Sequence, residues 1–228
     1  MDQSIFHLIN QQWTSSALDL FMAALSDSAI WEPLFIAIGV SALFLGGFRA
    51  RAFVVGLVLS LLITSQVTGL LKSAVDRHRP KHVENVRMVK LQRTRPAFLT
   101  LFKKPTIRLS DSSDRNRSGP SFPSGHVTTN SVIAVFCTLF YRRRGWLYWF
   151  VALAVGYSRI YLGSHWPSDV IATLFLAGGE ALLLLGLFEL IWRSAGRKWA
   201  PQLFARHPSL IADPNVGTRS PGAPQHSV

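Results

Sequence analysis

Apolar residues fall along the chain in long runs, not in the alternating pattern of a strand or the half-faced pattern of a surface helix. Residues 52–71 carry no charge at all, and runs at 127–141, 146–162 and 170–192 follow. These reach or approach the roughly 20 residues that a helix needs to cross about 30 Å of hydrocarbon. Two weaker runs, 17–30 and 33–48, precede them, and Asp19 and Asp27 interrupt the first. The pattern predicts an all-α bundle of about six transmembrane helices, with the run at 17–30 open to an interfacial reading. One long polar stretch, 81–119, lies between the third and fourth spans. Past residue 204 the chain turns to Pro, Gly, Ser and Asn. That predicts a transmembrane domain over 1–204 and a disordered tail over 205–228.

The 49% hydrophobic content agrees with a membrane protein. The first dozen residues have neither a basic n-region nor an apolar h-region, so the spans themselves are expected to direct insertion. Cys137 sits inside an apolar run as the single cysteine and reads as a small core residue. Net charge is +12, unevenly spread: Arg77–Arg117 holds twelve Lys and Arg against Glu84, Asp111 and Asp114. Such a patch suits nucleic acid, anionic headgroups or a phosphate substrate. Its place between two spans favours membrane lipids and a lipid phosphate over nucleic acid.

Short basic connections set the expected orientation. Arg49 and Arg51, then Arg142–Arg144, then Arg193, Arg197 and Lys198 fall at alternate span ends. The positive-inside rule puts them in the cytoplasm. The opposite ends carry the chemistry: Lys72 with Arg79-Pro80, Pro123-Ser124-Gly125-His126, and Ser158-Arg159 with His165 and Asp169. Phosphate-ester cleavage needs cations on the non-bridging oxygens, an in-line nucleophile and an acid for the leaving oxygen. Those residues include all three.

Each block also has a plainer reading. Lys72 and Arg79, seven apart, share a face if one helix runs through both, and Pro80 holds Arg79 extended. Lys72 alone is also an ordinary snorkelling lysine. Ser124 stands near a helix N-cap, where free N–H groups and Gly125 form an anion cradle. A merely capped helix with an incidental histidine reads the same. Asp169 follows His165 by four residues, with Pro167 at a helix start. A carboxylate there can orient the imidazole as base or nucleophile, or simply favour the helix N-terminus.

Together the blocks resemble the three-part signature of the type 2 phosphatidic acid phosphatase (PAP2) superfamily. Its eleven specified identities all occur in order between Lys72 and Asp169. The resemblance implies a lipid phosphatase in which His165 is the nucleophile, forming a phosphohistidine, and Asp169 orients it. His126 would protonate the leaving oxygen, and Lys72, Arg79, Ser124, Gly125 and Arg159 would surround the phosphate. It implies no metal and no cofactor, and the motif region offers one inward carboxylate, not the cluster that Mg²⁺ sites use. Bacterial members act on undecaprenyl diphosphate, phosphatidylglycerophosphate or lipid A. The implied setting is a multi-pass inner-membrane protein with its site facing the periplasm or exterior.

Vanadium-dependent haloperoxidases resemble the same signature but are soluble, and the apolar runs argue against them. A phosphotransferase would use the same phosphohistidine. A non-catalytic lipid-phosphate binder would need the cations but not His126, His165 and Asp169. Phe98, Leu99, Leu101 and Phe102 beside Lys103 and Lys104 make the 81–119 loop amphipathic. The loop is expected to lie at the headgroups and cover the site, or to be a solvated insertion.

Overall fold

The computed structural model describes residues 1–115 and 119–212. Helix α1 (Asp2–His7) continues as a π-helical turn, Leu8–Gln12, and leads to α2 (Ser16–Leu25), α3 (Ser28–Leu45) and α4 (Phe48–Val75). A long connection holds α5 (Pro80–Val83), β1 (Arg87–Lys90), β2 (Thr106–Leu109) and α6 (Ser112–Arg115). The bundle resumes with α7 (Gly125–Tyr141), α8 (Tyr148–Tyr161) and α9 (Pro167–Ile191), and ends in α10 (Arg197–Trp199) and α11 (Pro201–Arg206).

Helix α7 forms the axis, packed against α4, α8 and α9. Its neighbours are built inside out. Helix α4 buries Gly56, Ser60, Thr64 and Thr68 while exposing Val55, Val58, Leu62 and Ile63. Helix α9 buries Ala177, Ala181 and Leu185, four apart on one face, and exposes Phe175, Leu183 and Leu187. Small inward residues let backbones approach, and large outward ones suit hydrocarbon. Helix α3 buries no residue at all and touches mainly α4. Helices α3, α4 and α9 are long and apolar enough to cross a membrane.

The expected first span, 17–30, is not one helix. Helix α2 stops at Leu25, so its ten residues rise only about 15 Å. Asp27 then caps the start of α3 by accepting the Ala29 N–H at 3.1 Å. The buried Asp19 carboxylate accepts hydrogen bonds from Arg87 and the Tyr161 hydroxyl, both at 2.6 Å. An acid so paired ties α2 to the end of α8 and to β1, in the layer formed by the long connection.

That layer includes a hairpin absent from the sequence reading. Strands β1 and β2 pair antiparallel from Arg87 opposite Leu109 to Lys90 opposite Thr106. Arg108 grips the buried Asp114 through two hydrogen bonds, 2.6 and 2.8 Å, and holds its carboxyl down at about 2. Between the strands a 3₁₀ turn, Ala97–Phe102, presents Phe98, Leu99 and Phe102 outward and contacts α3. The hairpin base packs inward, Val86, Met88 and Val89 joining Phe6, Tyr161 and Trp166 in one core cluster. A second cluster joins Phe136 and Phe140 to Ala177, Ala181 and Leu185.

At the other end of the bundle, His207 stacks on Phe48 and its carbonyl accepts the Trp192 indole N–H. Leu210 and Ile211 pack on the second cluster. Packed chain therefore extends to these residues, inside the expected tail; 213–228 lie outside the described residues.

Asn10 joins the N-terminal segment to the layer. It is fully buried, donates to the carbonyls of Arg87 and Tyr161 at 2.8 and 2.7 Å, and accepts the Arg87 N–H at 3.0 Å. Asn10→Ala strands three main-chain groups, and we expect a loss of about 3 kcal/mol. A lowered melting temperature in detergent with helix content retained would show it; an unchanged melting temperature would contradict it.

Candidate active site

The three sequence blocks meet at one end of the bundle, where α4 and α8 end and α7 and α9 begin. The basic turns Arg49–Arg51 and Arg142–Arg144 lie at the other end. Lys72 is on the last turn of α4. Arg79 does not continue that helix, so the condition for a face shared with Lys72 is not met. Helix α4 ends at Val75 because Asp76 turns left-handed (φ 39°), a conformation that Asp tolerates better than most residues. The chain doubles back, and Arg79, held extended before Pro80 (φ −74°, ψ 155°), re-enters the site from the side.

Three consecutive residues pin this return. The Arg77 carbonyl accepts the Ser121 N–H at 2.6 Å, the His78 carbonyl accepts the Trp166 indole N–H at 2.9 Å, and Arg79 Nε donates to the Gly119 carbonyl at 3.1 Å. Gly119 has φ +141°, where a side chain would be strained. The turn after α8 closes likewise, the Arg159 carbonyl accepting the Ser164 and His165 N–H groups. His165 therefore lies beside Arg159. The charges of Lys72, Arg79 and Arg159 all act on His165.

Ser124 is the N-cap of α7, but its side chain makes no capping bond. Its N–H donates instead to Thr173 Oγ1 on α9 at 3.1 Å. Among the described residues, the buried Ser124 Oγ and Arg159 Nε have no hydrogen-bond partner. A buried polar atom left so costs about 1–3 kcal/mol. A Cβ on Gly125 would meet nothing within 4 Å, so the space at the start of α7 is open. The site thus gathers donors and cations, which suits an anion with several oxygens.

The geometry corrects one pairing. His165 Nδ1 lies 2.6 Å from the Ser121 carbonyl, not on the Asp169 carboxylate. A carbonyl only accepts, so Nδ1 carries the proton and Nε2 presents a free lone pair. Asp169 has no solvent exposure and is saturated elsewhere. It accepts Arg77 at 2.6 Å, the Trp166 N–H at 3.0 Å and, by a very short bond, the Ser121 hydroxyl. Asp169 reaches His165 at one remove, through Ser121. Burial, then the charges of Arg159 and Arg79, holds the His165 imidazole well below its ordinary value.

Sequence reasoning missed four contributors. Ser121 and Arg77 lie two and two residues from signature positions, with side chains that no spacing rule singles out. Asp2 binds the far side of Arg77 at 2.7 Å and also accepts the Ser168 N–H at 2.9 Å. Ser26, at the α2–α3 break, hydrogen-bonds the His126 ring through its main chain and meets the Ser158 hydroxyl at 2.5 Å. The last two come from segments far from any block. The one available signal was Ser26 at the break in an otherwise apolar run; Asp2 carried none.

The comparisons with known proteins agree with this layout. The family model described as PAP2 superfamily matches residues 86–193, which hold the second and third blocks. A protein of Sulfolobus acidocaldarius named undecaprenyl-diphosphatase is 32% identical over 182 residues, 78% of this chain and 74% of its own. A lipid A 4'-phosphatase of Bacteroides thetaiotaomicron is 29% identical over 168 residues, 70% of this chain; the alignment spans 65% of that relative's own length. The crystal structure of Aquifex aeolicus LpxE has the same fold, with a TM-score of 0.59 at 21% identity over 81% of this chain and 94% of that one. With the three blocks brought together as the signature requires, and an undecaprenyl-diphosphatase matched along most of its length, this chain belongs to the PAP2 superfamily.

Proposed function

We propose that this protein is an integral-membrane lipid phosphatase that cleaves a phosphate monoester or diphosphate of a lipid through a phosphohistidine on His165. One observation carries the reading. His165, with Nε2 free, faces a cluster of Lys72, Arg79 and Arg159 in which Ser124 Oγ and Arg159 Nε are buried without partners. Relatives named lipid A 4'-phosphatase and undecaprenyl-diphosphatase support the substrate class. Their two names differ, so the class is a phosphorylated lipid and not one headgroup.

In the first step Nε2 attacks phosphorus as the lipid oxygen departs with a proton from His126, which that imidazole takes up from solvent when the anionic phosphate enters among the cations. The cations and the start of α7 neutralise the charge on the non-bridging oxygens. In the second, water gives its proton back to His126 and attacks phosphorus, and the P–N bond breaks to return Nε2 its lone pair. Nδ1 keeps its proton throughout and donates it in a hydrogen bond to the Ser121 carbonyl, which steadies the positive charge on the ring. Asp169, held by Arg77, fixes Ser121. The basic turns at the other end support an orientation with the site away from the cytoplasm.

The test is phosphate release by detergent-purified protein from undecaprenyl diphosphate, phosphatidylglycerophosphate, phosphatidic acid and lipid A. His165→Ala should abolish release while the protein stays folded, and an acid-labile, alkali-stable phosphoryl label should disappear with it. Release that survives the substitution would reject the nucleophile.

A second experiment separates the relay from a direct His–Asp pair. Asp169→Asn should lower kcat by about 10²- to 10⁴-fold, as loss of an orienting carboxylate does in comparable triads. Ser121→Ala keeps the carbonyl but loses the hydroxyl anchor, and should cost about tenfold in kcat with KM little changed. A direct pair would leave Ser121→Ala at the wild-type rate.

The depressed His165 sets a pH signature. An imidazole held below 6.5 remains neutral and nucleophilic as pH falls, so the acid limb of kcat/KM assigned to it should lie below 6.5. The same shift stabilises the fold above 6.5 and is lost as pH falls, because the unfolded chain takes up the proton first. An acid limb above 6.5 that belongs to His165 would contradict the buried, cation-facing geometry.

A further inference from the structure

A cavity of about 1120 Å³ lies at the end of the bundle away from His165. Arg49 on the first turn of α4, the α7–α8 turn and residues 209–212 enclose it. Its walls include Cys137, Phe140, Leu147, Val151 and Ile211. Three arginines, Arg49, Arg142 and Arg144, also line it, and no Asp or Glu is among its described lining residues.

The turn that carries two of these arginines is fixed by its packing. Gly145 sits so close to α7 that a Cβ would lie 1.7 Å from the Cys137 carbonyl oxygen. Arg142 takes φ 51°, an uncommon conformation for a residue with a side chain. Its N–H bonds the Thr138 carbonyl at 2.8 Å, and its carbonyl accepts the Trp146 N–H at 3.1 Å. Arg49 meanwhile donates to the Phe140 carbonyl and closes the end of α7. Arg142 and Arg144 themselves are exposed. Two exposed guanidiniums on a constrained turn thus stand over an apolar-walled space of lipid-sized volume.

We propose that this cavity binds one anionic phospholipid of the leaflet opposite the active site. Arg142 and Arg144 receive its phosphate, and its acyl chain lies along the Cys137–Val151 wall. Charge decides the headgroup: a choline or ethanolamine would add an ammonium to a surface whose described lining holds three guanidiniums and no acid. Freely snorkelling arginines would attract anionic lipid only as a diffuse layer, without holding one molecule, and would need no constrained turn. The inference depends on the membrane setting but not on chemistry at His165.

Lipid retention by the full chain, read by native mass spectrometry with phosphatidylglycerol and phosphatidylcholine as probes, tests it. Wild type should retain one phosphatidylglycerol in preference to phosphatidylcholine, and so should Arg159→Gln, which removes a cation from the active site instead. Arg142→Gln with Arg144→Gln should weaken retention about tenfold or more, with Arg142→Lys and Arg144→Lys keeping part of it. Val151→Trp, which fills the apolar wall and leaves every charge, should also weaken it. Retained turnover would certify that the cavity variants are folded. Equal retention of both lipids, or retention lost in Arg159→Gln but kept in the double glutamine variant, would overturn the proposal.

Discussion

A carboxylate with no exposure to solvent has to be paired where it lies, and Asp169 is paired three ways. Arg77 supplies the opposite charge, the Trp166 N–H closes the start of α9, and the Ser121 hydroxyl takes the remaining lone pair. Removing one partner of such a buried group costs far more than an exposed ion pair contributes. The site depends on this junction because its partners come from separate parts of the chain: the return after α4, the approach to α7 and the start of α9. Fixing one carboxylate therefore fixes where all three elements meet. The imidazole four residues earlier inherits its orientation from that meeting.

Cation crowding poses the opposite difficulty. Lys72, Arg79 and Arg159 repel one another, and burial adds to the cost. The scaffold holds them through main-chain contacts that do not neutralise them. Arg79 is held by the Gly119 carbonyl, and Arg159 is held by its place on α8, whose last carbonyls fasten the His165 turn. Carbonyls fix position without spending the charge. A phosphate dianion would relieve the repulsion that the fold maintains, and relief that grows as charge builds on the transferring group is what catalysis requires.

The sequence disclosed the signature residues and failed where the fold joins distant segments. All eight candidate positions lie at the same end of the bundle, because spans that alternate in direction bring alternate ends together. Lys72 and Arg79 would share a face only if one helix ran through both; Arg79 is extended before Pro80 as expected, but helical spacing says nothing of a left-handed Asp76 that ends α4 earlier. The His165–Asp169 pair was expected from its four-residue spacing, with Pro167 at the helix start. Pro167 does open α9, but there the Asp169 carboxylate is claimed by the Trp166 N–H and not by the imidazole. Asp19 and Asp27 looked like defects in a span, and each proved to be a fastening, one to Arg87 and Tyr161 and one at the start of α3. The hairpin escaped because its strands are four residues each, within a stretch whose charge dominated its pattern.

The N-terminal segment shows how far the site's supports extend beyond its signature. Asp2 shares the Arg77 guanidinium with Asp169 and accepts from Ser168 at the head of α9. One arginine between two carboxylates balances charge locally and leaves the signature cations free for an anion. Phe6 lies against Trp166, whose indole holds the His78 carbonyl, so the apolar packing of the same segment restrains the return strand that carries Arg79. Charge and packing from the first six residues thus act on both halves of the site, the imidazole side through Asp169 and the cation side through His78. An element too short and too polar to span a membrane can still be part of what holds the site rigid.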